Sequence, residues 1–339
     1  MDFLSGLNEL SEASEGKGTE RKEISKETND KFDKLMGDDN IREVCPEPQD
    51  RPKLDSVERE NKFSKLFDIG DFFKKDMVNP EPSSEQTDGT DLEPDYSEIR
   101  EPSSSYKFND NTYETDDNGQ TYKKNGELLP NTEYTVNGNK YKTDERGNKV
   151  SCDSQPEYTE EGSRNMKEQK ESGGDERQED DDGGHIIARI LGGAEGEENL
   201  VPMRRTINRG DYKRMENEIA KALQEGKKAT IHIDIAYDGD SSRPSKIRAE
   251  YAIDGQKTVC EFDNVEGSTD LLDSLRDKIS EEDYGRFKQT LKEMKEDGCE
   301  AAITSVKVEY DENGNLTKVT AGILDESTGT KKYKEYEPF

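Results

Sequence analysis

The chain is poor in what a compact domain is built from. Of its 339 residues only 27% are hydrophobic, none is tryptophan, and only two histidines and four cysteines occur. Ordinary globular domains are about 45–50% apolar, so one uniformly packed body is excluded. No run approaches the roughly 20 apolar residues of a membrane-spanning helix. Cys45, Cys152, Cys260 and Cys299 have no C-x-x-C spacing and just His185 and His232 to join them, which argues against both a structural zinc cluster and a disulfide framework. Basic charge is also short: 50 Lys and Arg face 80 Asp and Glu, a formal charge of −30. That sign excludes a protein that coats a polyanion by electrostatic wrapping. The first residues, MDFLSGLNELSEASEGKG, carry neither a basic n-region nor a continuous apolar h-region. The expectation is no signal peptide and no membrane-spanning segment, hence a cytoplasmic chain or one secreted by a leaderless route. Phe3, Leu4, Leu7 and Leu10 share one helical face, which reads as a short amphipathic turn.

What is present is unevenly distributed. Residues 1–104 are rich in Glu, Asp, Lys, Ser and Pro and read as a largely disordered acidic region, with an aromatic island around Phe63, Leu66, Phe67, Phe72 and Phe73. Residues 105–155 change to short aromatic-polar strands with Asn-Gly and Asp-Gly style turns. There Asn137-Gly138 predicts a hairpin between Tyr134–Val136 and Tyr141. A weak echo relates Tyr113–Gly119 to Tyr141–Gly147. Residues 156–264 are assigned as the core and 265–339 as an α+β extension. Within the core, Thr206–Glu225 has a helical apolar stripe of Tyr212, Met215, Ile219, Ala222 and Leu223, with Asn208 at a plausible N-cap and Gly226 at the stop. Ala229–Tyr237 and Ile247–Ile253 alternate, an Asp254-Gly255 turn follows, and Thr258–Phe262 completes an antiparallel meander. Ser280 with Asp283 resembles a capping box that opens a helix ending at Gly298, and strands Ala302–Tyr310 and Leu316–Ile323 close the chain. The predicted class is α+β.

Chemistry concentrates between Asp181 and Glu216. Asp181-Asp-Gly-Gly-His-Ile-Ile-Ala188 puts a histidine behind two glycines, which remove side-chain bulk and permit close approach. Neutral imidazole can take a proton from water, and neighbouring carboxylates would raise its pKa and orient it. Asn208, Tyr212 and Glu216 are spaced i, i+4, i+8 along one side of a helix. An amide oxygen with a carboxylate two turns on suits a hard cation that keeps most of its waters, the habit of Mg²⁺. Each piece has a plainer alternative: a solvated turn for the histidine, a cap for Asn208, a surface carboxylate for Glu216. His232, on the polar face of an alternating strand, reads as a surface histidine.

Taken together these motifs resemble the DNA/RNA non-specific endonuclease family. Asp182-Gly183-Gly184-His185 resembles its D-[RG]-G-H motif, and Asn208 opens a pattern resembling N-x-G-x-Y/W-x-x-x-E that ends at Glu216. The likeness is greatest to a toxin-type branch, through Asp-Asp-Gly-Gly-His-x-Ile-Ala, Asn199-Leu-Val-Pro-Met203, Asn208-Arg-Gly-x-Tyr-Lys and Gly239-Asp-Ser-Ser-Arg-Pro244, and spans about 130–262. It implies a ββα-metal (His-Me finger) nuclease core with an antiparallel sheet. It implies His185 as general base, Glu216 and Asn199 as further catalytic residues, and Asn208 as ligand of one Mg²⁺ (or Mn²⁺). The activity implied is metal-dependent, non-specific hydrolysis of DNA and/or RNA, in an antibacterial effector toxin with a cognate immunity protein as partner. Two departures stand out: Gly183 where scavenging members carry Arg, and Ala220 where they carry Arg one turn after the glutamate. Substrate grip therefore falls to Arg177, Arg189, Arg204, Arg205 and Arg209 as candidates. The competing expectation from the −30 charge is a non-enzymatic acidic interaction protein or DNA mimic with a degenerate nuclease fold. Locally, however, Val201–Met215 holds Arg204, Arg205, Arg209, Lys213 and Arg214 against Asp211 alone.

Overall fold

A computed structural model describes residues 93–159, 172, 174–266, 270–296, 301–326 and 329–338. The acidic N-terminal region up to residue 92, its aromatic island, and most of the acidic run after 159 lie outside the described residues, as does the helix stop at Gly298. Everything below concerns the compact unit that contains Pro94–Phe339.

The described chain is mostly antiparallel sheet with few helices. A four-stranded meander comes first: β1 (Ser105–Phe108), β2 (Asn111–Thr115), β3 (Thr121–Lys124) and β4 (Glu127–Leu128). Nine strands then form the main sheet. They are β5 (Glu133–Val136), β6 (Asn139–Thr143), β7 (Lys149–Ser154), β10 (Ala229–Tyr237), β11 (Pro244–Ile253), β12 (Gln256–Asp263), β13 (Ala301–Tyr310), β14 (Leu316–Asp325) and β15 (Thr330–Tyr336), in spatial order β15-β14-β13-β12-β11-β10-β7-β6-β5. Every pairing in it is antiparallel. Between β7 and β10 the chain leaves this sheet to make a separate antiparallel pair, β8 (Asp181–His185) with β9 (Leu200–Arg204), and then helix α1 (Tyr212–Gln224). Helices α2 (Asp270–Arg276) and α3 (Glu281–Glu296) lie between β12 and β13.

Two kinds of turn set the register. Asn125-Gly126, Asn137-Gly138 and Asp254-Gly255 have positive φ at both residues, the two-residue hairpin geometry whose twist matches that of the strands. Asp116, Asp144 and Asp311 each open an Asp-x-x-Gly turn. In each, the carboxylate Oδ1 accepts the backbone N–H groups two and four residues on, and the glycine takes φ near +80°. The echo between Tyr113–Gly119 and Tyr141–Gly147 is thus a shared turn chemistry, and the third copy at Asp311 lies in the C-terminal extension.

Two apolar cores hold the layers. Strand alternation sends Ile231, Ile233, Ile235, Ile247, Ala249, Tyr251, Cys260 and Phe262 to one side, where they meet Tyr212, Met215 and Ile219 of α1 and Ile186, Ile187 and Leu191 of the segment after β8. Val259, of opposite parity to Cys260 and Phe262, belongs to the second core with Leu271, Leu275, Phe287, Met294, Val306, Val308 and Val319. So α1 covers one face of the sheet and the α2–α3 pair covers the other. Ser280 caps the helix, its Oγ accepting the Asp283 N–H at 3.1 Å and donating to Asp283 Oδ2 at 2.7 Å. Residues after 264 continue the same sheet, because β13 pairs with β12 over Thr258–Phe262. The strands Ala302–Tyr310 and Leu316–Ile323 do not close the chain. A further strand, β15, follows, and its charged sequence Thr-Lys-Lys-Tyr-Lys-Glu-Tyr fits an edge position.

Candidate nuclease site

β8, β9 and the helix after them bring the singled-out residues together. His185 ends β8, half-buried, opposite Leu200 of β9. The chain turns helical from Arg205, and Ile207–Asp211 forms one π-helical turn before α1 begins. Asn208 is therefore not at the N-cap that its sequence position suggested. It lies inside the helix, within a turn type that is rare and concentrated at functional sites. Its amide serves another strand: Nδ2 donates to Asp182 Oδ2 at 3.1 Å. That bond orients the amide and turns Oδ1 the other way. A Cβ on Gly184 would stand 3.2 Å from this oxygen and 2.9 Å from Met203 Cβ and Cε. Glycine at 184 is thus required for room, and the absence of its side chain leaves a cradle beside Asn208 Oδ1, one residue from His185.

Asp182 is the anchor of this corner. Arg209 binds it through both Nε (2.7 Å) and Nη2 (2.8 Å), and Arg205 Nε stands 3.7 Å away. Burial works to raise the Asp182 pKa, but the Arg209 hydrogen bonds, with Asn208 and Arg205, outweigh it and hold the carboxyl below the usual range. Two exposed guanidinium groups facing one carboxylate leave a local surplus of positive charge at the rim. Glu216, two helical turns on from Asn208, is buried and pairs with Lys213 Nζ at 3.4 Å. Burial pushes its pKa up to about 7, against the pull of Lys213. Tyr212, fully buried between them, donates its OH to Ile186 O at 2.7 Å and so ties α1 to the residue after His185.

Asn199 is wholly inside. Its Oδ1 accepts from Ile187 N and Tyr141 OH, both at 2.9 Å, and its Nδ2 donates to Ile187 O (2.9 Å) and Ala194 O (2.8 Å). Its backbone oxygen accepts Ile186 N at 2.8 Å. Both hydrogens and both lone pairs of the amide are used, so Asn199 holds the segment behind His185 and offers no free atom to a substrate. The 3₁₀ turn Glu197–Asn199 is held in turn by the hairpin-rich segment. Lys123 pairs with Glu198 at 2.6 Å, Tyr134 OH donates to Glu198 O at 2.8 Å, and Lys149 Nζ donates to Glu197 O at 2.9 Å.

The candidate arginines separate by environment. Arg205 and Arg209 stand at the rim. Arg177 is half-buried and donates to the backbone oxygens of Ser172 (3.0 Å) and Asp181 (2.7 Å), bracing the start of β8. Arg189 pairs with Glu195 at 3.1 Å beside its 3₁₀ turn. Arg204 is buried, with Nη2 held by both oxygens of Glu326 at 2.8 and 2.9 Å. The basic stretch Val201–Met215 is therefore largely ion-paired, which its sequence does not reveal. Sequence reasoning also missed the role of Arg243 in the Gly-Asp-Ser-Ser-Arg-Pro stretch. Its guanidinium grips the buried Asp181 carboxylate at 2.7 Å through both Nε and Nη2, and donates to Asn264 O at 2.8 Å. The motif marked the residue, but its partner lies 62 positions away. On the opposite face of the sheet from α1, His232 sits between Asp153 (2.7 Å) and Asp234 (2.9 Å). These raise its pKa to about 9, Asp153 most, and it takes no part in the site.

A β-strand pair carrying a histidine, followed by a helix carrying an asparagine aimed at the same strand, is a specific arrangement. Residues 130–255 match the DNA/RNA non-specific endonuclease family. The matched range contains β8, β9, α1 and the His185, Asn199, Asn208 and Glu216 set, and stops before α2 and β13. The chain is also 32% identical over 105 residues to the type VII secretion system protein EssD of Staphylococcus aureus, in strains USA300 and NCTC 8325 alike. That match takes in 29% of this chain and 17% of the relatives' own length. Among the described residues no group of three or more His, Cys, Asp or Glu side chains is arranged to hold a metal ion, and no helix is long and apolar enough to cross a membrane. The endonuclease family generally uses a divalent cation. Asn208 Oδ1 beside the Gly184 cradle is a hard oxygen donor of the kind such a cation takes, and Asp182 orients it.

Proposed function

We propose that the chain is a metal-dependent, non-specific endonuclease that hydrolyses phosphodiester bonds of DNA and/or RNA, with a His-Me finger core formed by β8, β9 and α1. The observation that carries this is the Asn208 amide, taken off the helix cap, oriented by Asp182 and set against the Gly184 cradle next to His185. His185 takes a proton from the attacking water. A bound Mg²⁺ or Mn²⁺ would stabilise the charge that develops on the phosphoryl oxygens and on the leaving 3′-oxygen. Asn208 would hold the cation through its amide oxygen, and Glu216 supports the site from within α1. Arg205 and Arg209 meet the phosphate backbone at the rim. Arg177 and Asn199 act one step back, fixing the backbone on either side of His185, and Arg189 is held by Glu195. Contacts confined to phosphate carry no direct sequence information, which accounts for non-specificity.

The match to type VII secretion system proteins supports a wider reading as an exported antibacterial effector neutralised by an immunity protein. Rescue of a lethal clone by co-expression of a cognate inhibitor tests that reading. For the activity itself, plasmid is incubated with the full chain and Mg²⁺, with a parallel EDTA arm. Metal-dependent degradation is expected. Plasmid that stays intact in both arms while the protein competes for nucleic-acid-binding partners would favour the acidic DNA mimic, the reading that the −30 charge motivates.

A further inference from the structure

The π-helical turn Ile207–Asp211 is held from behind by strands that lie outside residues 130–255. Asp211, its last residue, is buried. Its Oδ2 accepts Thr304 Oγ1 of β13 at 3.0 Å and forms an ion pair with Lys331 Nζ of β15. The same Lys331 Nζ donates to Thr206 O, immediately before the turn, at 3.1 Å. One ammonium group thus bridges the two ends of the turn. It crosses at Gly210, where a Cβ would stand 3.3 Å from Nζ. On the front, Asn208 and Arg209 are fixed by Asp182. A π turn is a local departure from the α ladder, and it persists where surrounding contacts hold it.

We propose that Lys331 and Thr304 are positioning residues: the C-terminal strands lock the turn that presents Asn208, and so set the affinity for the divalent cation. The inference rests on the reading of Asn208 as the cation's ligand. Without the bridge the turn relaxes toward the α ladder, and Asn208 Oδ1 leaves the Gly184 cradle. Supporting partners behind a ligand are typically worth 10–100-fold in metal affinity or activity.

Mn²⁺ binding to the full chain, read by calorimetry or electron paramagnetic resonance without nucleic acid, provides the test. Lys331→Met should weaken Mn²⁺ about 10- to 100-fold, and Thr304→Val by a smaller factor, with KM for DNA at saturating Mn²⁺ unchanged. The direction is diagnostic. A mere through-space charge effect predicts the opposite, because removing a nearby ammonium favours a cation. Lys331→Arg, which keeps charge and donors, should restore most of the affinity. Should Lys331→Met unfold by leaving Asp211 buried and uncompensated, Asp211→Asn/Lys331→Met removes both charges, keeps the fold and should show the same weakening. Wild-type affinity in folded Lys331→Met, or in Asp211→Asn/Lys331→Met, would overturn the inference while leaving Asn208 as ligand. Wild-type protein that binds no Mn²⁺, or that is unaffected by Asn208→Ala, would overturn the metal reading itself, and the inference with it.

Discussion

Arg243→Met offers the most quantitative check on how β8 is held. The Arg243 side chain is 7% exposed and that of Asp181 0%, and two 2.7 Å contacts join them as a bidentate pair. Removing the guanidinium leaves the Asp181 carboxylate buried without its counter-charge and frees Asn264 O, which Arg243 also satisfies at 2.8 Å. Breaking such a pair from one side costs about 3–5 kcal/mol, whereas replacing both partners by apolar groups of similar volume is often near neutral. The expected outcome is therefore a loss of about 4 kcal/mol for Arg243→Met and a much smaller loss for Asp181→Leu/Arg243→Met. Their difference is a coupling energy read from the double-mutant cycle. Urea unfolding followed by far-UV circular dichroism suits a chain without tryptophan. Because the pair is buried, 0.5 M salt should change the coupling little. A loss below about 1 kcal/mol for Arg243→Met, or a double variant worse than both single ones, would refute the reasoning.

Three further outcomes follow from the same contacts. Gly184→Ala forces a Cβ to within 2.9 Å of Met203 and 3.2 Å of Asn208 Oδ1. It should cost about 1–3 kcal/mol in urea unfolding and weaken Mn²⁺ binding, whereas an unchanged Mn²⁺ affinity would separate the cradle from the ligand. Asn199→Ala strands Ile187 N and O, Ala194 O and Tyr141 OH. The expected loss is on the order of 4 kcal/mol, and a variant of wild-type stability with reduced turnover would instead make Asn199 a direct participant. Burial raises the folded pKa of Glu216 from the ordinary 4.5 to about 7, so its protonated form favours the fold. Its contribution to stability is full below pH 4.5 and is lost as pH rises through 7. Metal-free Glu216→Gln should therefore be more stable than wild type at pH 8, by on the order of 3 kcal/mol, with the gap closing by pH 4.5. A gap independent of pH would contradict the assigned burial.

Much of the sheet, and the strand and helix that carry the candidate residues, was legible in the chain, because both depend on local signals. Alternation of Ile231, Ile233 and Ile235 marks β10, and Asn137-Gly138 and Asp254-Gly255 mark their hairpins, since side-chain period and turn conformation act over a few residues. The Asp182–His185 and Asn208–Glu216 motifs marked the strand and helix that converge. What the sequence hid depends on distance. Arg204 looks like a substrate arginine until Glu326, 122 positions on, is seen to hold it. Asn208 looks like a cap because a π turn has no signature in spacing, and its amide is claimed by Asp182 across 26 positions. β15 was missed because Thr-Lys-Lys-Tyr-Lys-Glu-Tyr lacks an apolar face, and it pairs as an edge through its backbone. The net charge of −30 describes the whole chain, whereas Asp182 is faced locally by two exposed guanidinium groups, Arg205 and Arg209.

The central claim is that His185 takes the proton from the attacking water, and the initial rate of plasmid cleavage by His185→Ala at saturating Mg²⁺ tests it most directly. With far-UV circular dichroism and Mn²⁺ affinity unchanged from wild type, the rate should fall by about 10²–10⁴-fold, the usual worth of a positioned general base. Cleavage by the folded, metal-binding variant at the wild-type rate would contradict the account.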